Sequence, residues 1–161
     1  MFGRGRVRRL RDGRYALRLD EQERELLRAL PAQLLELLAS DGDDPSLARL
    51  FPPAYANSED AEREADYRRL MGSDLLDRHR GALETLRVTA GAEALTEEEL
   101  AAWLAGINEL RLVLGTRLDV SEDEEFDPDP SPDDPRGAGL ALYYWLGMLQ
   151  EQLVEAAADA L

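Results

Sequence analysis

One histidine, His79, stands among 34 carboxylates and 19 arginines in a 161-residue chain without cysteine or lysine. The missing thiol excludes thiolate nucleophiles, cysteine-ligated zinc, iron–sulfur clusters and thiol redox sensing. A single histidine cannot build the usual histidine-rich zinc site, and no H-E-x-x-H, G-x-S-x-G or P-loop sequence occurs. His79 shares a helical face with Leu76, Leu83 and Leu86, which reads as a core or boundary histidine. Asp127, Asp129, Ser131 and Asp133 alternate like a calcium loop. The sixth position is Pro132 where glycine belongs, and the twelfth is Ala138 where a bidentate glutamate belongs. That segment reads as a solvated charge run. Carboxylate pairs for acid–base work cannot be singled out among so many acids, because catalysis needs a perturbed pair in a pocket. The expectation is a non-enzymatic protein with no catalytic residues, cofactor or metal.

Charge is divided along the chain. Residues 1–19 hold seven arginines and one acid, net +6, and residues 20–161 carry net −21. Arg6, Arg8, Arg9, Arg11 and Arg14 are therefore the candidate partner-binding residues. Three readings compete for them: pairing with the protein's own acids, an acidic protein partner, or nucleic acid. A two-stranded ribbon can enter a DNA major groove, but the acidic body would repel a polyanion at range. A second candidate is a recessed polar site at Asn108, Arg111 and Arg117, for a small molecule or an enzymatic reaction. Buried polar groups there need partners, so the competing reading is a clamp to a neighbouring helix.

The elements that must carry these residues are mostly helical. Asp12-Gly13 is a hairpin turn signal between two short strands, at residues 6–11 and 14–19. A two-residue turn sets Leu10 against Tyr15, with Leu10, Tyr15, Leu17, Leu19, Arg8 and Arg6 on one face. An isolated hairpin is marginal in water, so it should lean on the helical body. A first helix begins near Asp20, with Glu23 completing a capping-box-like pair, and carries Leu26, Leu27, Leu30, Leu34, Leu37 and Leu38, and Pro31 should kink or split it. Residues 40–44 read as a turn, and Pro45 opens a short helix ending at Phe51. Ser58 caps a long helix that Gly72-Ser73 should bend and Gly91 ends. Thr96-Glu-Glu-Glu99 is a capping box. The helix it opens, with Leu100, Trp103, Leu104, Ile107, Leu110, Val113 and Leu114, is the candidate centre of the core. The acidic, proline-rich residues 119–136 should form a mobile loop. The last helix, from about Gly139 to Ala158, buries Leu142, Trp145, Leu146, Leu149 and Leu153.

The expected fold is mainly α: a single-domain helical bundle with an N-terminal β-hairpin. Its parts are an arginine-rich hairpin (1–19), a helical body (20–118), the acidic loop (119–136) and a C-terminal core helix (137–161). No apolar run follows the N-terminal arginines, and the uncharged stretch from Gly137 ends before Glu151, too short for a membrane span of about 20 residues. A cytoplasmic location without membrane association is the expectation.

Several segments together carry a resemblance. They are Leu47-Ala-Arg-Leu-Phe-Pro-Pro-Ala-Tyr55, Ala65-Asp-Tyr-Arg-Arg-Leu70, Leu95-Thr-Glu-Glu-Glu-Leu-Ala-Ala-Trp-Leu104 and Leu142-Tyr-Tyr-Trp-Leu-Gly-Met-Leu-Gln-Glu-Gln-Leu153. The most specific is Ile107-Asn-Glu-Leu-Arg-Leu-Val-Leu-Gly-Thr-Arg-Leu-Asp-Val120. The chain resembles an actinobacterial family of unknown function, often encoded beside the Clp protease adaptor and linked to oxidative-stress transcription through protein partners. That resemblance implies a regulatory or adaptor protein with no catalytic residues to carry over. A regulator whose switch is a thiol would need cysteines, which this chain lacks. Partner binding through the arginine hairpin, the acidic loop, or both is the expected mechanism. One form of it has the loop occupying the hairpin until a partner arrives.

Overall fold

The computed structural model describes residues 5–40, 43–51, 61–120 and 133–159, leaving aside the side chains of 61, 64, 65, 67–71 and 73. The architecture is mainly α, with an antiparallel sheet at the N-terminal end. In chain order the elements are β1 (Val7–Arg9), β2 (Tyr15–Leu17), α1 (Glu21–Ser40), a 3-10 turn (Pro45–Leu50), α2 (Ala61–Thr89), β3 (Ala94–Leu95), α3 (Glu97–Arg117) and α4 (Gly137–Ala158).

The third helix, α3, is the centre of the core, as its long apolar stripe implied. Thr96 opens it with a reciprocal capping box: Glu99 N donates to Thr96 Oγ1 at 3.1 Å, and Thr96 N donates to Glu99 Oε1 at 2.8 Å. Leu100, Trp103, Ile107, Leu110 and Val113 are buried between α2, α4 and the 3-10 turn. Gly106 lets α2 and α3 approach closely. A Cβ there would lie 3.1 Å from Leu86 Cδ2 and 3.4 Å from the Ala82 carbonyl.

Three expectations are corrected. Pro31 neither splits nor ends α1, which runs unbroken from Glu21 to Ser40. Proline removes one rung of the helix ladder. Leu27, Pro31, Leu34 and Leu38 bury on one face, and that packing outweighs the lost rung. The hairpin is also not alone, because β3 pairs antiparallel with β2 and makes a three-stranded sheet in the order β1-β2-β3. Thirdly, the hairpin register is one residue off the sequence reading. Val7 faces Leu17, Arg8 faces Ala16 and Arg9 faces Tyr15. The turn holds three residues, with Leu10 N donating to the Arg14 carbonyl at 2.7 Å and Gly13 at φ +90°. Glycine suits that left-handed position. A one-residue slip exchanges the two faces of a strand. Val7, Tyr15 and Leu17 consequently turn to the core, while Arg8 turns to solvent rather than joining them.

The sheet is bolted to the helices by Arg24 of α1. Its Nε donates to the Leu19 carbonyl at 3.2 Å, and its Nη1 donates to the Ala90 and Ala92 carbonyls at 2.9 and 2.8 Å. One guanidinium thus joins the β2–α1 junction to the α2–β3 connection. Arg24→Met keeps the stem and strips three carbonyls of a charged donor. It should cost about 2 kcal/mol in urea unfolding, since a bond to a charged group contributes roughly 1.5–3 kcal/mol. An unchanged unfolding midpoint would show that water replaces the guanidinium without loss.

The acidic loop lies mostly outside the described residues, at 121–132, as do the Ser58 cap and part of the turn before Pro45. No described helix is long and apolar enough to cross a membrane.

Candidate functional site

The sheet sorts the hairpin arginines into two groups. Arg6 and Arg14 pair internally. Arg6 Nε donates to Glu23 Oε2 at 2.7 Å, and Arg14 Nε donates to Asp12 Oδ2 at 2.9 Å. The Arg14 backbone N–H and guanidinium together hold the Asp12 carboxyl below the usual carboxylate range. Arg8, Arg9 and Arg11 are exposed and form no ion pair among the described residues. Three unneutralised guanidinium groups thus sit within four residues of chain, on a protein of net charge −15.

This surface is held at a fixed position relative to the helices. Glu23 is the anchor: its Oε2 accepts from Arg6 of the hairpin and, at 3.0 Å, from Trp145 Nε1 of α4. Its Oε1 and backbone N–H complete a box with Asp20 at the start of α1. Gln152 Oε1 of α4 accepts from the Arg6 N–H at 2.7 Å, which ties the start of β1 to the last helix.

The second candidate group does not converge. Asn108 is exposed on α3. Arg111 is half-buried as a clamp to α4. Its Nη1 donates to Gln150 Oε1 at 2.7 Å, and its guanidinium carbon lies 4.8 Å from the Tyr143 ring centroid. Arg117 borders a separate pocket of about 80 Å³ between α1, α3 and α4, whose other lining includes Leu30, Leu34, Leu114 and Leu146. Asn108 and Arg111 do not line that pocket.

The buried polar centre is instead Glu109, which the sequence reading did not single out. Glu109 is 5% exposed. Its Oε1 lies 2.7 Å from His79 Nδ1, and the other ring nitrogen lies 3.0 Å from the Leu50 carbonyl. Phe51 meets the imidazole edge-on, with centroids 5.3 Å apart. The histidine thereby joins α2, α3 and the 3-10 turn. Burial pushes the Glu109 carboxyl above the ordinary glutamate range, against the opposing pull of His79. Burial works to lower the His79 pKa, but the bonds to Glu109 and the Leu50 carbonyl outweigh it and hold the value above that of a free histidine. With an acceptor at each of its two nitrogens, a protonated ring donates to both. The pair is largely buried and joins three elements, so it reads as an internal latch. Glu109 Oε2 is buried without a partner.

The comparisons with known proteins follow this geometry. The putative oxidative stress regulator AosR of Mycobacterium leprae is 33% identical over 134 residues, covering 71% of this chain and 58% of that protein. The oxidative stress regulator AosR of Mycobacterium tuberculosis is 32% identical over 127 residues, covering 69% of this chain and 57% of that protein. The counterpart in Mycobacterium bovis matches to the same extent. The chain therefore spans less than two thirds of the length of these relatives. No solved structure matches. The match to the family model runs over residues 4–157, nearly the whole chain, so the resemblance read from its segments holds: this chain belongs to the family described as a domain of unknown function, DUF2017.

Proposed function

We propose that this chain is a non-enzymatic regulatory adaptor of the cytoplasm, and that it binds an acidic protein segment through Arg8, Arg9 and Arg11. The observation that carries the reading is the set of three exposed guanidinium groups with no ion pair among the described residues, on an otherwise acidic protein. A positive patch of that form steers an acidic segment to this end of the molecule. The names of the mycobacterial relatives support a role in regulation. Because the chain has no cysteine, its regulation would run through binding rather than through oxidation of a thiol.

The test is capture from the source cell with mass spectrometry, repeated with Arg8→Glu, Arg9→Glu and Arg11→Glu combined. Arg6 is left in place because it anchors the sheet through Glu23. A partner held by the wild type should lose about tenfold in affinity, or 1.4 kcal/mol, with most of the loss in association rate and less of it at high salt. Equal capture by the triple variant would overturn the reading. Salt-dependent retention on duplex DNA, lost in the same variant, would assign the arginines to phosphates instead.

A further inference from the structure

The first half of α4 is unusual for a surface helix. Between Gly137 and Gln150 it has no charged residue, in a chain where 33% of residues are charged. Its inner face is accounted for by Leu140, Leu146 and Leu149, which are buried. Its outer side is apolar as well: Ala138, Ala141 and Met148 are exposed. A helix that is apolar all round is ordinarily covered all round.

Opposite that side stands the first half of α1, and an open groove of about 800 Å³ separates the two helices. Leu26, Ala29, Ala141, Leu142 and Trp145 make it apolar. Leu26 is 39% exposed there. Asp20, Glu23 and Glu25 line the same groove with Arg6, and Glu25 shares the Arg28 guanidinium with Glu21, so with that trio counted the rim is still net −2. From Asp20 to Ala29 the α1 wall rises roughly 14 Å, or about two and a half helical turns.

We propose that this groove docks an amphipathic helix of a partner protein, with an apolar stripe on the floor and arginine or lysine against the acidic rim. Helix-in-groove recognition needs an apolar trough of about this length. The charge decides the occupant. A second copy of this chain would bring the same carboxylates face to face across a two-fold axis, on top of a net charge of −15 on each copy. The sequence of the acidic segment 121–132 is repelled for the same reason. A basic amphipathic segment meets both the floor and the rim. This surface is independent of Arg8, Arg9 and Arg11 and opposite in sign, so the chain would offer two docking surfaces for two kinds of partner.

Trp145 lines the groove and Trp103 is fully buried, so tryptophan fluorescence reports on occupancy. The probe is a tryptophan-free synthetic peptide of about four helical turns with a leucine stripe and flanking lysines. Its comparison peptide has the lysines replaced by glutamate. The lysine peptide should bind with a micromolar dissociation constant and the glutamate peptide at least about tenfold more weakly. Ala141→Arg, at an exposed helical position that tolerates arginine, should weaken the lysine peptide about tenfold, and Glu25→Lys several-fold. Val88→Arg, at a position 66% exposed on α2, should leave binding unchanged. Equal binding of the two peptides, or equal loss in Ala141→Arg and Val88→Arg, would overturn the proposal. So would a wild-type dimer in sedimentation that Ala141→Arg dissolves, which would give the groove to a second copy.

Discussion

His79→Ala should destabilise the protein by about 3 kcal/mol at pH 7, roughly a hundredfold in the unfolding equilibrium. Removing one member of a buried pair leaves the other charge without compensation, which typically costs 3–5 kcal/mol. Here the residue left behind is Glu109, with a side chain 7% exposed and one oxygen already unpartnered. Losing the imidazole also removes the pull that opposes burial, so burial raises the Glu109 carboxyl further in the variant. The wild type carries a pH dependence of its own. Both members hold their protons more tightly folded than unfolded. The His79 contribution is therefore complete below about pH 6.5, the value of a free histidine, and is lost as the pH rises through the raised folded value. Glu109 acts in the same direction from the ordinary glutamate range upward. Glu109→Gln should be mild, about 1 kcal/mol, because a neutral imidazole can accept from the amide and still donate to the Leu50 carbonyl. Urea unfolding of the three proteins at pH 5, 7 and 9 reads all of this. If His79→Ala lost less than Glu109→Gln at pH 7, the latch would carry no charge.

That latch shows where the sequence stops informing. His79 was legible as a boundary histidine because it shares a face with leucines 76, 83 and 86. Its partner was not, because Glu109 is one of 34 acids and its burial depends on where the 3-10 turn sets Leu50 and Phe51. Asn108 and Arg111 stand out as polar residues on the same apolar helix, but they lie in other surroundings. Helices were legible where a local signal closes on itself, as in the Thr96 capping box and the Asp20–Glu23 box. The sheet was legible in part. Asp12-Gly13 announced the turn, but its three-residue length, and hence which arginines face outward, depends on hydrogen bonds from Leu10 and Gly13. A two-residue strand such as Ala94–Leu95 has no periodicity to read, so the third strand could not be anticipated. The groove between α1 and α4 is a tertiary relation between two helices whose own stripes give no hint of the space between them.

Both candidate surfaces depend on a core whose centre is Trp103, and Trp103→Ala should cost about 4 kcal/mol. The side chain is fully buried on α3, and truncating a buried aromatic removes its transfer energy and leaves a cavity. Its indole also has a defined polar task. Trp103 Nε1 donates to Thr89 Oγ1 at 2.7 Å, and that hydroxyl donates in turn to the Thr85 carbonyl at 2.6 Å. Thr89 is the last residue of α2, just before the connection that leads into β3. Within that connection Glu93 receives the Leu17 N–H at 2.8 Å, so the indole braces the far edge of the arginine-bearing sheet. Two milder variants separate packing from hydrogen bonding. Trp103→Phe keeps most of the apolar volume and leaves the Thr89 hydroxyl still bonded to Thr85, for a loss of about 1–2 kcal/mol. Thr89→Val leaves the indole N–H buried and unpaired, which should cost about 2 kcal/mol. Combining them should cost less than the sum by about 1 kcal/mol, the signature of a shared bond in a double-mutant cycle. Hydrogen exchange adds a local readout: amides of β2 and β3 should lose protection in Thr89→Val before those of α4 do. Strict additivity, with exchange unchanged at Leu17, would leave Trp103 a packing residue alone and remove the indole as the brace between the core and the sheet.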